Sequence, residues 1–251
     1  CGTSNYETII TQQEDVDALI GCTSFQGDLN ISGANISNLD GLQSLVSIEG
    51  DLRLESLDIP LNNLPFTSLN TVGGNILISS VNATNILFPE LVAVDEFTLG
   101  YSVFDSLNVE TLVNVDKIHI GPYNSYNPNF GIGSAWHLNT FNSIVTINEI
   151  NIEGNNSDPY PATPGFGLKS INGFNSLENI TYGLWIQNNS ELEECCAILA
   201  LADVTTGQYL SINGNGEGCS NLVSIAGNCD NYFCGTSNYE TIITQQEDVD
   251  A

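Results

Sequence analysis

At eight places along the chain two apolar residues flank a single variable one. GDLNI from Gly27, GDLRL from Gly50, GNILI from Gly74, EFTL from Glu96, KIHI from Lys117, EINI from Glu149, GLWI from Gly183 and YLSI from Tyr209 share this order. Two-residue alternation is the period of a strand with one buried face. It predicts eight short strands with Leu29/Ile31, Leu52/Leu54, Ile76/Ile78, Phe97/Leu99, Ile118/Ile120, Ile150/Ile152, Leu184/Ile186 and Leu210/Ile212 inside. The strands recur every 21 to 34 residues, which is one strand per coil of a solenoid, the longer coils carrying insertions. Eight rungs at about 4.8 Å give a core roughly 40 Å long.

After most strands the apolar residues recur at every third position, as in Leu39, Leu42, Leu45, Ile48 and in Ile171, Phe174, Leu177, Ile180, with Phe88, Leu91, Val94 and Phe141, Ile144, Ile147 repeating the step. That period suits a turn, or a short strand and corner, on the far wall of a coil better than an α-helix. Only two segments read as helical. Thr11-Gln12-Gln13-Glu14 has the form of a capping box, with Gly21 as a stop, and Ser190 to Val204 is amphipathic. A solenoid's terminal coils expose strand edges and apolar ends, and these helices are placed to cover them.

The cysteines fall at the same two ends. Cys1, Cys22, Cys195, Cys196, Cys219 and Cys229 form an even set without a CxxC pair or a nearby histidine, so they read as three disulfides in an oxidising compartment and not as a zinc site. Cys1 is expected to bond Cys22. Adjacent Cys195 and Cys196 then bond Cys219 and Cys229, in an order the spacing leaves open. The seventh cysteine, Cys234, opens a segment, Cys234 to Ala251, that repeats Cys1 to Ala18 without a substitution. Such identity is the mark of a repeat array. Residues 1–233 are therefore read as one unit, and residues 234–251 as the start of the next, with Cys234 pairing there. Within the unit, 1–26 form a cysteine-bearing N-terminal cap, 27–190 the coils with insertions at 122–136 and 155–167, and 191–233 a C-terminal cap. Cys229 and Cys234 stand close together in sequence, so a stiff junction is expected.

Charge narrows the partners. Only Arg53, Lys117 and Lys169 oppose thirty acidic residues, for a net charge of −27. That field repels nucleic acid and anionic membranes, and its self-repulsion is screened in brine, so a salty habitat fits. There is no methionine, no charged segment ahead of an apolar run and no apolar stretch of spanning length. Neither a signal peptide nor direct membrane insertion is read here, and the export signal is expected outside this fragment.

The GDLxI coils, the LDGLQSLVSI run from Leu39 to Ile48, the cysteine pair around the N-terminal helix and the terminal cysteine cluster resemble the receptor L-domain, over nearly all of residues 1–233. That family is a leucine-rich-repeat-like, right-handed β-solenoid found in growth-factor receptor ectodomains and in secreted proteins of marine Bacteroidetes. The resemblance implies a mainly β fold of about eight coils, a short capping helix at each end and disulfide caps. Tandem acidic copies look like the surface adhesins or extracellular filaments of gliding marine bacteria, including those that catch prey.

Two surfaces are candidates for contact. The outward ladder between the buried pairs reads Asn30, Arg53, Leu77, Thr98, His119, Asn151, Trp185, Ser211, in which Leu77 and Trp185 stand out as apolar. Either they mark an interface or the insertions fold over them. The insertions carry Tyr123, Tyr126, Phe130, Trp136, Tyr160 and Phe166 among Asn, Gly and Pro, a composition of interaction loops; the alternative is two loops packed on each other. Asp28, Asp51 and Glu96 occupy equivalent rung positions, interrupted by Asn75 and Lys117. This is either a ladder for Ca²⁺ or a solvated face, and no EF-hand or nonapeptide calcium loop accompanies it. No other cofactor or metal is expected. The Asn-x-Ser/Thr sequons at Asn30, Asn35, Asn82, Asn155, Asn179 and Asn188 read as turns in a bacterial protein.

His119 and His137 lack a nucleophile motif, HExxH or GxSxG, and no carboxylate pair is singled out, so no enzyme and no catalytic residue is expected. What remains is a secreted structural and adhesive module, its partners further copies of itself in series and side by side. The alternative is a binding module for a glycan or protein of another cell surface.

Overall fold

The eight apolar pairs form strands in a computed structural model that describes residues 1–64, 66–102, 104, 106–121, 135–154 and 167–229. In chain order the strands are β1 (Gly2–Ile10), β2 (Ser24–Ser32), β3 (Ser47–Ile48), β4 (Leu52–Asn63), β5 (Thr71–Val72), β6 (Ile76–Leu87), β7 (Glu96–Gly100), β8 (Ser106–Asn108), β9 (Lys117–Ile120), β10 (Ala135–Leu138), β11 (Thr146–Glu153), β12 (Gly167–Ile171), β13 (Asn179–Gln187) and β14 (Tyr209–Asn213). The strand pairings among the described residues are parallel, and the principal row runs β1, β2, β4, β6, β7, β9, β11, β13, β14, aligned across the apolar-variable-apolar positions, with register shifts outside them between Gly2 and Glu7, between Leu57 and Leu61 and between Ile147 and Glu149. The fold is a mainly β parallel solenoid. The strand β1 adds a rung ahead of the eight legible in the alternation.

Side rows complete the coils. Ser24–Phe25, Ser47–Ile48 and Thr71–Val72 pair along one wall. The ends of β4 and β6 pair with each other and with β8, and β10 pairs with β12, on another. The every-third-residue apolar positions between these rows are buried, Leu39, Leu42, Leu45 and Ile48 among them, and a single hydrophobic cluster extends from Ile10 to Cys229. Phenylalanines run through it as a chain of ring contacts. Phe66 stacks on Phe88 at 5.2 Å, Phe88 and Phe141 meet Phe97 edge-on, and Phe141 stacks on Phe174 at 5.2 Å.

Each principal strand leaves its row through the same corner. The second residue after the inner apolar pair has positive φ in seven of the eight coils, at Gly33, Ser56, Ser80, Tyr101, Gly154, Asn188 and Gly214, and in the remaining coil the turn comes one residue earlier, at Gly121 directly after Ile120. Four are glycine, which takes this conformation without a Cβ penalty. Ser56, Ser80 and Tyr101 take it because the coil geometry requires the turn.

The polar groups of the corners are satisfied coil to coil. Fully buried Asn189 donates from its Nδ2 to Ile152 O, and Asn215 donates from its Nδ2 to Ile186 O, while Asn215 Oδ1 accepts from the Asn189 backbone N–H. Ser102 Oγ accepts from Val81 N–H and Thr140 Oγ1 from Val109 N–H in the same way.

The ends differ from the sequence expectation in four respects. Helix α1 is Gln13–Asp17 with Gln12 at its N-cap and no side-chain cap, so the Thr11 capping box does not form. Gln13 Oε1 instead accepts from the backbone N–H of Ser37 and of Asn38, which ties α1 to the next coil. The second helix is shorter than Ser190 to Val204: α2 is Ala197–Asp203, because the Glu193 and Glu194 N–H groups are drawn into the wall by Lys169 O, each at 3.0 Å. A third helix, α3 (Leu222–Cys229), had no expectation attached to it. Finally, Leu210 of β14 is 45 % exposed although it holds an inward position, and Ile212 is only half-buried. Among the described residues nothing covers the last rung of the core on its outer side.

Three disulfides hold these ends: Cys1–Cys22, Cys195–Cys219 and Cys196–Cys229. Cys234 and the rest of the duplicated segment lie outside the described residues.

Candidate interaction surface on the sheet face

Registered pairing places Asn30, Arg53, Leu77, Thr98, His119, Asn151, Trp185 and Ser211 side by side across the principal row. The ladder is not an open apolar strip. Leu77 is buried, 8 % exposed, and Thr98 is buried too, its hydroxyl donating to Glu96 Oε1 at 3.0 Å. Leu77 therefore offers no exposed contact on this face.

Trp185 is half-buried because it lies across Gly183, where a Cβ would come 2.3 Å from the indole. Its ring is 5.7 Å from that of Tyr209, nearly parallel, and 5.9 Å from that of Tyr182; the two tyrosine rings are 5.1 Å apart. Tyr182 and Tyr209 are each 45 % exposed. Sequence reasoning found Trp185 and missed both tyrosines. The missing signal is register: Tyr209 sits opposite Gly183, so a side chain on the last strand fills the space that a glycine leaves on the one before.

Of the insertion aromatics, Tyr123, Tyr126, Phe130, Tyr160 and Phe166 lie outside the described residues. Trp136 lies in β10, its backbone opposite Leu168.

The acidic rung positions have a structural use. Asp28 Oδ1 accepts from the Asp51 N–H at 2.9 Å, and Asp51 Oδ1 accepts from the Asn75 N–H at 2.8 Å. The glycine ahead of each donating N–H makes room, since a Cβ on Gly50 would sit 2.0 Å from Asp28 Oδ1 and one on Gly74 2.2 Å from Asp51 Oδ1. The G-D-L motif is thus a coil-to-coil clasp. The remaining Asp51 oxygen takes Arg53 at 2.9 Å, and that hydrogen bond raises the arginine pKa further, against the opposing effect of burial. Lys169 bridges Glu191 at 3.0 Å and Glu193 at 3.3 Å. Lys117 stands in register between Glu96 and Glu149. Each scarce cation is placed among acids. Among the described residues no group of three or more His, Cys, Asp or Glu side chains gathers as metal ligands would.

His137 Nδ1 lies 2.8 Å from Ser170 Oγ, which also accepts from Asn172 Nδ2; Ser170 itself is fully buried. His119 Nε2 and Asn151 Oδ1, adjacent on the ladder, are buried atoms without a hydrogen-bond partner among the described residues.

With this geometry in view, comparison with known proteins is informative at one point. The chain is similar to the cell wall protein ecm33 of Schizosaccharomyces pombe, 24 % identical over 242 residues, which cover 95 % of this chain and 46 % of that protein. It thus spans about half the length of the relative it matches. No family model and no solved structure matches. No helix among the described residues is long and apolar enough to cross a membrane. Likeness to a cell wall protein, together with three disulfides, points to an extracellular or cell-surface protein.

Proposed function

We propose that this chain is a structural and adhesive repeat module of a long extracellular appendage, with copies joined in series and chains associated side by side. The observation that carries the reading is the recurrence of Cys1–Ala18, without a substitution, at Cys234–Ala251. A parallel stack with a disulfide-bonded segment at each end suits the role: coils add stiffness along one axis, and the disulfides hold the ends when the appendage is pulled. The dense acidic surface keeps such a fibre dispersed in salt water. In this reading the work is mechanical and adhesive and not catalytic, and the setting is a prey-catching or adhesive filament of a marine bacterium. Its partners are sister copies, and it meets neither nucleic acid nor the membrane interior.

A second reading is favoured by the half-exposed Tyr182, Trp185 and Tyr209, which present aromatic faces as glycan- or protein-binding surfaces do. Electron cryo-microscopy of the intact, non-reduced protein at native salt separates the two. Several chains in parallel, touching through residues 122–136 and 155–167, support the filament. Single-chain beads with those loops free remove lateral assembly and leave the binding module.

A further inference from the structure

The two ends of the principal sheet are unlike in a way that makes them complementary. Among the described residues, β14 at one end pairs with β13 along one edge and with nothing along the other, and β1 at the opposite end pairs only with β2. In the inward row Leu29, Leu52, Ile76, Phe97, Ile118, Ile150 and Leu184 are 0–1 % exposed, and the next member, Leu210, is 45 % exposed. The β14 segment YLSIN has no charge and no proline, the two devices that usually protect a free strand edge. The outer side of β1 carries Tyr6, 70 % exposed, and Ile9, 58 % exposed. β1 carries one charge, Glu7, which takes Asn30 at 3.0 Å within its own copy. An undefended edge at β14 and a second free edge at β1, facing opposite ways along the axis of one parallel sheet, are what a strand-to-strand junction needs.

We infer that β14 is the docking edge for β1 of the following copy, so that the sheet runs unbroken from copy to copy. Continuing the register sets Tyr209 opposite Glu7, Leu210 opposite Thr8, Ser211 opposite Ile9 and Ile212 opposite Ile10 of that copy. Leu210 then gains the covering neighbour that its row mates have, and Ile9 comes to rest beside Ser211, the ladder position next to Trp185. Chain length permits it. The counterpart of Thr8 is Thr241, 31 residues after Leu210, and the last three inward steps, Ile118 to Ile150, Ile150 to Leu184 and Leu184 to Leu210, are 32, 34 and 26 residues. The junction is one coil long. This inference rests on the tandem reading proposed above and adds its geometry.

Amide hydrogen exchange on the intact, non-reduced protein, with its mass measured in the same sample, tests it. In a chain of several copies the Tyr209–Asn213 amides that face outward should be protected to within about tenfold of those of β13. Leu210→Lys should abolish that protection and spare Gly183–Gln187, whereas Val223→Lys, on an exposed face of α3, should change neither. A multi-copy chain in which β14 exchanges like a free edge overturns the inference alone. A mass corresponding to one copy overturns the tandem reading and the inference with it.

Discussion

Asp51 accepts a hydrogen bond on Oδ1 from the backbone N–H of Asn75, one coil further on, at 2.8 Å, and Gly74 is the residue that lets it in. A methyl group at position 74 would meet Asp51 Oδ1 at 2.2 Å and little else closer than 3.2 Å. Gly74→Ala is expected to cost about 2 kcal/mol, through the lost clasp and the displaced carboxylate. In an Asp51→Ala background the same change should cost well under half of that, a coupling that a double-mutant cycle of urea unfolding measures. Additive costs would mean that the clasp is not what the glycine serves.

The shared corner makes an opposite prediction for Ser80. It holds φ 57° with an exposed side chain, where other coils have Gly33, Gly154 and Gly214. Relief of the left-handed strain outweighs the extra chain entropy of glycine, so Ser80→Gly should stabilise by roughly 0.5–1 kcal/mol, read as a higher urea midpoint with unchanged slope.

These two cases mark the boundary of what sequence alone discloses. The eight strands were legible because one buried face leaves a two-residue period, and the far wall because its turns repeat every three. The clasp was not legible, since Asp28 and Asp51 act on a backbone group 23 or 24 residues away, and an acid in a rung reads equally as a solvated face or an ion ligand. Nor was the corner, where serine and tyrosine stand in place of glycine. The strand β1 was hidden because its inward residues near the pairing are Thr8 and Ile10, a weak alternation. For the candidate surface, Trp185 was visible as an apolar residue at an outward position, whereas Leu77 at an equivalent position is covered by its neighbours. Burial on an outward face depends on what lies alongside, which period does not encode.

The Cys196–Cys229 disulfide fastens α3 to α2 across 33 residues. Replacing both cysteines by alanine is expected to lower stability by about 3 kcal/mol in the chain-entropy account and to release α3 first, because Cys195–Cys219 still closes the preceding loop. Exchange of the Leu222–Cys229 amides should accelerate far more than that of β13. Uniform acceleration would mean that the cap and the coils unfold as one unit.

Lys169 supplies a pH signature. Its hydrogen bond to Glu191, then that to Glu193, raises its pKa above the ordinary lysine value of 10.5 against the effect of burial. A raised pKa in the folded state gives stability that is complete below the unfolded value and is lost as pH rises through the folded one. The stability difference between wild type and Lys169→Met should thus be constant between pH 7 and 9, at under about 1 kcal/mol, and shrink above roughly pH 10.5. A difference that grows with pH there would contradict the pairing.

Ionic strength should matter more than any one pair. With a net charge of −27 and two of three cations already held by acids, most carboxylates have only one another as charged neighbours. At about 10 mM salt the screening length is roughly 30 Å, comparable to the length of the coil stack, so acids on distant coils repel; at 1 M it falls to about 3 Å and only adjacent groups interact. Folding concentrates this charge, and screening therefore favours the folded state. The midpoint of thermal unfolding should rise by several degrees from 10 mM to 0.5 M NaCl, with most of the gain below 0.2 M, where the screening length changes fastest. Sodium chloride and potassium chloride should act alike if screening is the cause. A steep extra gain with micromolar Ca²⁺ would instead reveal a specific site among the acidic rungs.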